Sequence, residues 1–185
     1  MTQIDMPILD DGVVRLRAPH PDDVDGRFAL GNTPEILHMF GIHPDTCEVM
    51  TRAMAQDWVM ARCKADNFWI VEHEGRLIGD AFLHTINQHD KRASLALGIL
   101  DPALLGQGFG SRVLHLMIAH CFDTLGLHRI TLRVVDYNAR AIAAYKKAGF
   151  VHEGCERQAA RVGNEWHDDI IMGLLAPEYN RGRAA

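Results

Sequence analysis

The sequence predicts a mixed α+β fold: a mostly antiparallel central sheet with helices on both faces, in a single domain over residues 1–185 with its core at about 13–175. Three observations lead there. Strand-like and helical runs alternate along the chain. Three strand-like runs follow one another with only short polar turns between them, and strand–helix–strand units occur only twice, late in the chain. A doubly wound parallel sheet would repeat that unit from start to finish.

Taken in order, Val13–Ala18 alternates and reads as a strand. Pro19, Pro21 and the acidic pair Asp22-Asp23 open a helix to about Leu30, because proline suits a first helical turn and carboxylates favour its positive end. Thr33 can cap a short helix reaching Phe40, and Gly41 and Pro44 break the chain after it. From Cys47 to Lys64 the pattern is helical, with Val49, Met50, Met54, Trp58 and Ala61 near one stripe. Phe68–His73 and Leu77–Ile86 form a hairpin across Glu74-Gly75, and Ala93–Leu100 follows the polar turn Asn87–Arg92. A glycine-rich loop then leads into a helix from about Gly108 to Leu125, stopped by Gly126. Ile130–Val135 is a β-branched strand and Asn138–Lys147 a helix. Two last strands, about Phe150–Arg157 and His167–Leu174, flank a polar loop holding Gly163-Asn164.

Composition narrows the function classes. Hydrophobic residues at 48% and charged residues at 23% describe a soluble globular chain, not a disordered one. A formal net charge of −5 makes nucleic acid an unexpected partner. The local basic spots (Arg129 with Arg133, Lys146 with Lys147) suit a small anionic cofactor better. The start, MTQIDMPILDDG, is acidic without an apolar run, and no stretch reaches the roughly 18 apolar residues of a membrane span, so the expected location is cytoplasmic, with no membrane partner. The four cysteines form no CxxC pair and read as buried free thiols. The 11 histidines form no HExxH or HxxxH pair, and no metal is expected.

The sharpest local feature is the loop Leu105-Gly106-Gln107-Gly108-Phe109-Gly110-Ser111 between a strand and a helix. Glycine lets the backbone turn tightly and bring several N–H groups onto one anion, and the helix adds the positive end of its dipole. A diphosphate can be neutralised in this way without a strongly basic side chain; a turn that merely joins two elements is the alternative. The spacing is not that of a Gly-x-x-x-x-Gly-Lys-Ser/Thr phosphate loop, and it lacks the last glycine of a dinucleotide-binding Gly-x-Gly-x-x-Gly. Further on, Asn138 is a good helix cap, and Ala141, Ile142, Tyr145 and Ala148 share one helical face. Tyr145 therefore points toward the sheet or a cleft beside it, either as a core aromatic whose hydroxyl finds a partner or as a group held ready for chemistry.

Together these two segments resemble the GNAT superfamily of N-acetyltransferases. The family's cofactor pattern, Gln/Arg-x-x-Gly-x-Gly/Ala, is met by Gly108 and Gly110, with Asp101-Pro102 upstream and a helix downstream. Its second pattern, Asn-x-x-Ala-x-x-x-Tyr-x-x-x-Gly-Phe, is matched at Asn138, Ala141, Tyr145, Gly149 and Phe150. The element order agrees from about Val13 to Leu175, and Arg157–Leu175 looks like the branch containing Rim-type ribosomal-protein and spermidine acetyltransferases.

The resemblance implies acetyl-coenzyme A as acyl donor and a primary amine as acceptor, on a small molecule or a protein N-terminus, in a monomer or homodimer. The backbone of Gly98, Ile99 and Leu100 would pair with the pantetheine arm. The amides of Gly106, Gln107, Gly108, Phe109, Gly110 and Ser111 would hold the pyrophosphate, and Asn138 would touch the donor near its arm. Backbone N–H at the splayed end of the strand leading to Leu100 would polarise the thioester carbonyl. Tyr145 would protonate the leaving thiolate.

Two departures from the family stand out. Leu105 replaces the usual Gln or Arg, and the two usual positions for a basic carboxylate hold Leu95 and Arg133. Remaining candidates for a base are Asp80 and His84, which alternation puts on one strand face about 13 Å apart; Glu35, His38 and His43 in the early variable segment; and Glu165, Trp166 and His167 in the late loop. The missing carboxylates also leave open a non-catalytic acyl-coenzyme A-binding sensor or assembly subunit.

Overall fold

The computed structural model describes residues 6–184. The first five residues of the start read above as no secretory signal lie outside the described residues. In chain order the strands are β1 (Leu9–Asp10), β2 (Arg15–Arg17), β3 (Phe68–His73), β4 (Arg76–Asn87), β5 (Arg92–Ile99), β6 (Arg129–Val135), β7 (Val151–Val162) and β8 (Glu165–Leu175). The helices are α1 (Asp23–Leu30), α2 (Pro34–Met39), α3 (Arg52–Arg62), α4 (Phe109–Ala119), α5 (Ala139–Lys147) and α6 (Ala176–Ala184). Strand order in the sheet is β1-β2-β3-β4-β5-β6-β8-β7. β5 runs parallel to β6, whereas β1–β2, β2–β3, β3–β4, β6–β8 and β7–β8 are antiparallel. The expected fold class is met.

The chain packs as two compact units. The first holds the described residues up to Thr33, Glu48–Phe82 and Leu97–Met117; the second holds Pro34–Cys47, Leu83–Ala96 and the described residues from Ile118 onward. In the first unit, Phe68 and Ile70 of β3 and Leu77 of β4 form a buried cluster against Leu30, Trp58 and Phe82. Trp69 and Val71 point to the opposite face by strand alternation and are equally buried, so both faces of β3 are covered. In the second unit, β6 alternates from Arg129 to Val134. Ile130, Leu132 and Val134 are buried and face Leu174, Met172 and Ile170 across the ladder, while Arg133 is exposed.

Several boundaries differ from the sequence reading, each for a local reason. α3 begins at Arg52, not Cys47, because Thr51 caps it by accepting from the Met54 N–H at 3.2 Å. Val49 is consequently 88% exposed, and the buried stripe is Ala55 and Val59. The expected polar loop around Gly163-Asn164 shrinks to those two residues, since β7 and β8 run on to meet there. β1 and α6 were not anticipated. The helix after the glycine loop widens into a π-turn over His120–Thr124 before Gly126. Of the four free cysteines only Cys121 is buried; Cys155 is exposed and donates its S–H to Asp168 at 3.2 Å.

Candidate functional site

In the first unit the glycine loop is built as an open cradle. Asp101, itself buried, caps a single 3-10 turn at Pro102–Leu104 by accepting from the Ala103 N–H at 3.0 Å, and it receives Arg76 at 3.2 Å. The chain then turns twice through the left-handed region, at Gly106 (φ 77°) and Gly108 (φ 88°), which glycine alone adopts without strain. Around both glycines the space a β-carbon would fill is open. Gly108 accepts the first helical bond, from the Arg112 N–H at 3.1 Å, so the N–H groups of Phe109, Gly110 and Ser111 head α4 without intrahelical acceptors. The Gln107 N–H differs from its neighbours, since it donates back to the Leu104 carbonyl at 3.4 Å. Arg112 is held away by Asp11 at 2.8 Å, so the positive character of the cradle comes from backbone amides and the helix dipole.

Gly98 lies beside this loop in sequence and is approached closely by β4. A β-carbon on Gly79 would lie 2.1 Å from the Gly98 carbonyl oxygen. The Leu100 N–H donates to the Ile78 carbonyl at 2.8 Å, pinning this end of β5 to β4. The β5–β6 ladder runs only from Arg92↔Arg129 to Ser94↔Thr131. Gly98, Ile99 and Leu100 thus lie beyond its last paired residue.

In the second unit Tyr145 is half-buried on α5, its ring tilted against Phe150 at 6.0 Å. Its hydroxyl makes no hydrogen bond among the described residues, and burial pushes its pKa up to about 12. It is a protonated phenol at neutral pH, suited to giving a proton rather than taking one. Asn138 is more committed. Its side-chain carbonyl accepts from the Ala141 N–H at 3.1 Å, capping α5, and its amide donates to the Met39 carbonyl at 3.2 Å. A contact from Asn138 to a ligand is left with one amide hydrogen.

The same unit contains a cavity of about 500 Å³ lined by His38, His43, Tyr137, Val162, Glu165 and His167, among others. His38 stacks on Tyr137 with ring centres 4.5 Å apart, and the Tyr137 hydroxyl donates to the His38 carbonyl at 2.6 Å. His167 lies nearly perpendicular to Tyr137, with ring centres 4.7 Å apart. Its Nδ1 lies 3.6 Å from Asp136 Oδ1 and its Nε2 lies 3.7 Å from Glu165 Oε2. His43 packs beneath the hairpin turn so tightly that a β-carbon on Gly163 would approach its ring to 2.4 Å. Of the candidates read from the early segment and the late loop, His38, His43, Glu165 and His167 come together here. Glu35 does not line the cavity, and strand alternation turns Trp166 to the other face. Tyr137 and Asp136 were missed, although both immediately precede the Asn138 motif.

The other candidates have different surroundings. Asp80 is half-buried on β4 with the Arg27 and Arg62 charges nearby; burial raises its pKa to about 6 against the pull of both arginines. His84 is exposed and hydrogen-bonds the Thr85 hydroxyl at 2.9 Å. Leu95 is buried, and Arg133 is engaged by Glu156 at 3.4 Å and Asp169 at 3.3 Å. Arg129 is paired with Glu153, so this basic spot is already neutralised. Among the described residues, no group of three or more His, Cys, Asp or Glu side chains is arranged to hold a metal ion, and no helix is long and apolar enough to cross a membrane.

A mixed, mostly antiparallel sheet with flanking helices in this order is the fold of solved acetyltransferase structures. The family model described as the acetyltransferase (GNAT) domain matches residues 14–151, and the chain belongs to the GNAT N-acetyltransferases. It is 30% identical to YjcK of Bacillus subtilis over 105 residues, which is 57% of this chain and 58% of that protein, so less than two thirds of that relative is matched. The N-acetyltransferase YoaA of the same organism is 26% identical over 176 residues, 92% of this chain and 98% of its own length. Among solved structures, the spermidine N-acetyltransferase of Vibrio cholerae in complex with CoA and spermine superposes with a TM-score of 0.75 at 24% identity, covering 92% of this chain and 99% of that one.

Proposed function

We propose that this chain transfers an acetyl group from acetyl-coenzyme A to a primary amine by direct attack of the amine on the thioester. The observation that carries the reading is the Tyr145 hydroxyl, which is protonated, half-buried and without a partner among the described residues. That hydroxyl is not one of the buried unpartnered atoms, so it stays open to a ligand, as a proton donor to a leaving thiolate must. Within the first unit, the amides of Gly106, Gly108, Phe109, Gly110 and Ser111 take the donor's pyrophosphate, and Gly98 to Leu100 offer backbone to its arm. Gln107 contributes less than its neighbours, because its N–H already serves the turn. Leu105 places no polar side chain at the head of the cradle, and backbone donors do its work. Within the second unit, Tyr145 gives the thiolate its proton as the C–S bond breaks, and Asn138 fixes the start of the helix that carries Tyr145.

Relatives and neighbours of this chain include spermidine and ribosomal acetyltransferases. Their names support an amine acceptor for this chain, either a small polyamine-like molecule or a protein N-terminus. The test is release of free thiol from acetyl-coenzyme A in the presence of polyamines, peptides of different N-termini, amino sugars and aminoglycosides. Turnover on one of these classes is expected. Binding of coenzyme A with no turnover on any of them would favour the sensor reading.

A further inference from the structure

We infer that the cavity of the second unit receives the acceptor as its ammonium ion and that His167 removes the proton that makes the amine nucleophilic. The inference rests on the acetyl-transfer reading and supplies its missing base. Three features of the cavity carry it. First, the lining is aromatic and acidic: the stacked His38 and Tyr137 rings and the Glu165 carboxylate, with no lysine or arginine among the lining residues. Such walls attract a compact cation through the quadrupole of the rings and the charge of the acid. Second, His38 Nδ1 is a buried polar atom with no hydrogen-bond partner among the described residues. Third, His167 sits between two carboxylates, Asp136 from the end of β6 near its Nδ1 and Glu165 near its Nε2. Each ring nitrogen of His167 thus has an acid beside it, so one nitrogen can be oriented while the other faces the amine.

The groups facing His167 from the packed elements are Asp136 and Tyr137 before α5, His38 from α2, His43 beneath the hairpin, and Glu165 and Asp168 of β8. All are neutral or negative except for whatever charge the two histidines take on. The rival bases are worse placed. Asp80 does not line the cavity, and His84 lies exposed against Thr85.

The transfer balances in protons and bonds. The ammonium gives one proton to His167, and the freed nitrogen pair forms the C–N bond to the acetyl carbon. The C–S bond breaks, and the thiolate takes the Tyr145 proton. The new amide nitrogen sheds its extra proton, which restores Tyr145, and His167 releases its own to solvent, one per turnover.

The test compares wild type with His167→Gln and Glu165→Gln, using the best amine found by thiol release. For His167→Gln, kcat/KM at pH 7 is expected to fall about 100-fold, and the imidazole limb of the pH profile should disappear. The loss should shrink below about threefold near pH 9.5, where more of the free amine exists without help. For Glu165→Gln, KM for the amine should rise about tenfold with a smaller change in kcat. An unaltered pH limb in His167→Gln would overturn the base assignment, and an unaltered KM in Glu165→Gln would overturn the cavity as the amine's seat. Absence of turnover in the wild type itself would instead sink the acetyl-transfer reading. In that case, line broadening of the His167 imidazole resonance on adding 1,4-diaminobutane, lost in Glu165→Gln, would uphold the cation site. No response to that amine would overturn it.

Discussion

Asp80 stands half-buried on β4 between influences of opposite sign. Burial holds its proton while the charges of Arg27 and Arg62 pull the proton off, and burial wins, leaving a pKa of about 6 against 3.8 for a free side chain. The two arginines are themselves tightly set. Arg27 donates to the Gly31 carbonyl at 2.6 Å and to Asn32 at 2.9 Å, and Arg62 lies over the Trp58 ring at 4.2 Å. The Nε atoms of both are buried without a hydrogen-bond partner among the described residues. Because the folded carboxyl keeps its proton to a higher pH than the unfolded one, the native state binds more protons between the two values. This residue's contribution to stability therefore falls as pH rises through that window. Asp80→Asn removes the titration. The stability of the variant relative to wild type should rise by roughly 2 kcal/mol between pH 4 and pH 6, since each tenfold difference in proton affinity is worth about 1.4 kcal/mol. Urea melts at both pH values measure it, and a difference that stays constant would mean the carboxyl ionises as freely in the native state as in the unfolded one.

At the scale of elements, Gly79 and Gly98 decide how β4 and β5 meet. The approach is so close that a methyl group on Gly79 has nowhere to go, because its neighbour is a backbone carbonyl and not a flexible side chain. Gly79→Ala should cost about 1–3 kcal/mol and shift Gly98, so weaker binding of coenzyme A should accompany the loss in urea stability. Loss of stability with unchanged binding would separate this end of β5 from the donor's arm. Elements with strong local signals were legible in advance. β3 fell on its predicted residues, because Phe68–His73 is bounded by Asn67 and the Glu74-Gly75 turn. α5 followed from Asn138, a side chain whose cap bond is made as its type demands. Elements whose limits depend on packing were not legible. Cys47–Thr51 carries helix-compatible residues, but the cap at Thr51 outweighs them. The hairpin strands outran their hydrophobic pattern because β7, exposed along nearly its whole length, takes its extent from pairing with β8.

Across the whole molecule, the fold class followed from the order of strands and helices and the family from two short motifs, and the glycine loop makes its left-handed turns at Gly106 and Gly108. The proposed acid and base were only half legible. Tyr145 was marked by its motif, whereas the His38–Tyr137–His167 arrangement joins residues from α2, the β6–α5 connection and β8, a grouping that no spacing in the sequence announces. The carboxylates flanking His167 could not be read either, since Asp136 reaches it only through the alignment of β6 with β8. The central claim is acetyl transfer with Tyr145 as the acid, and its most direct test is the single-turnover rate of thiol release in Tyr145→Phe beside wild type, at saturating amine and acetyl-coenzyme A. A fall of about 100-fold or more with donor affinity unchanged is the predicted result. An undiminished rate would contradict the claim, because the hydroxyl left without a partner would then have no part in the chemistry.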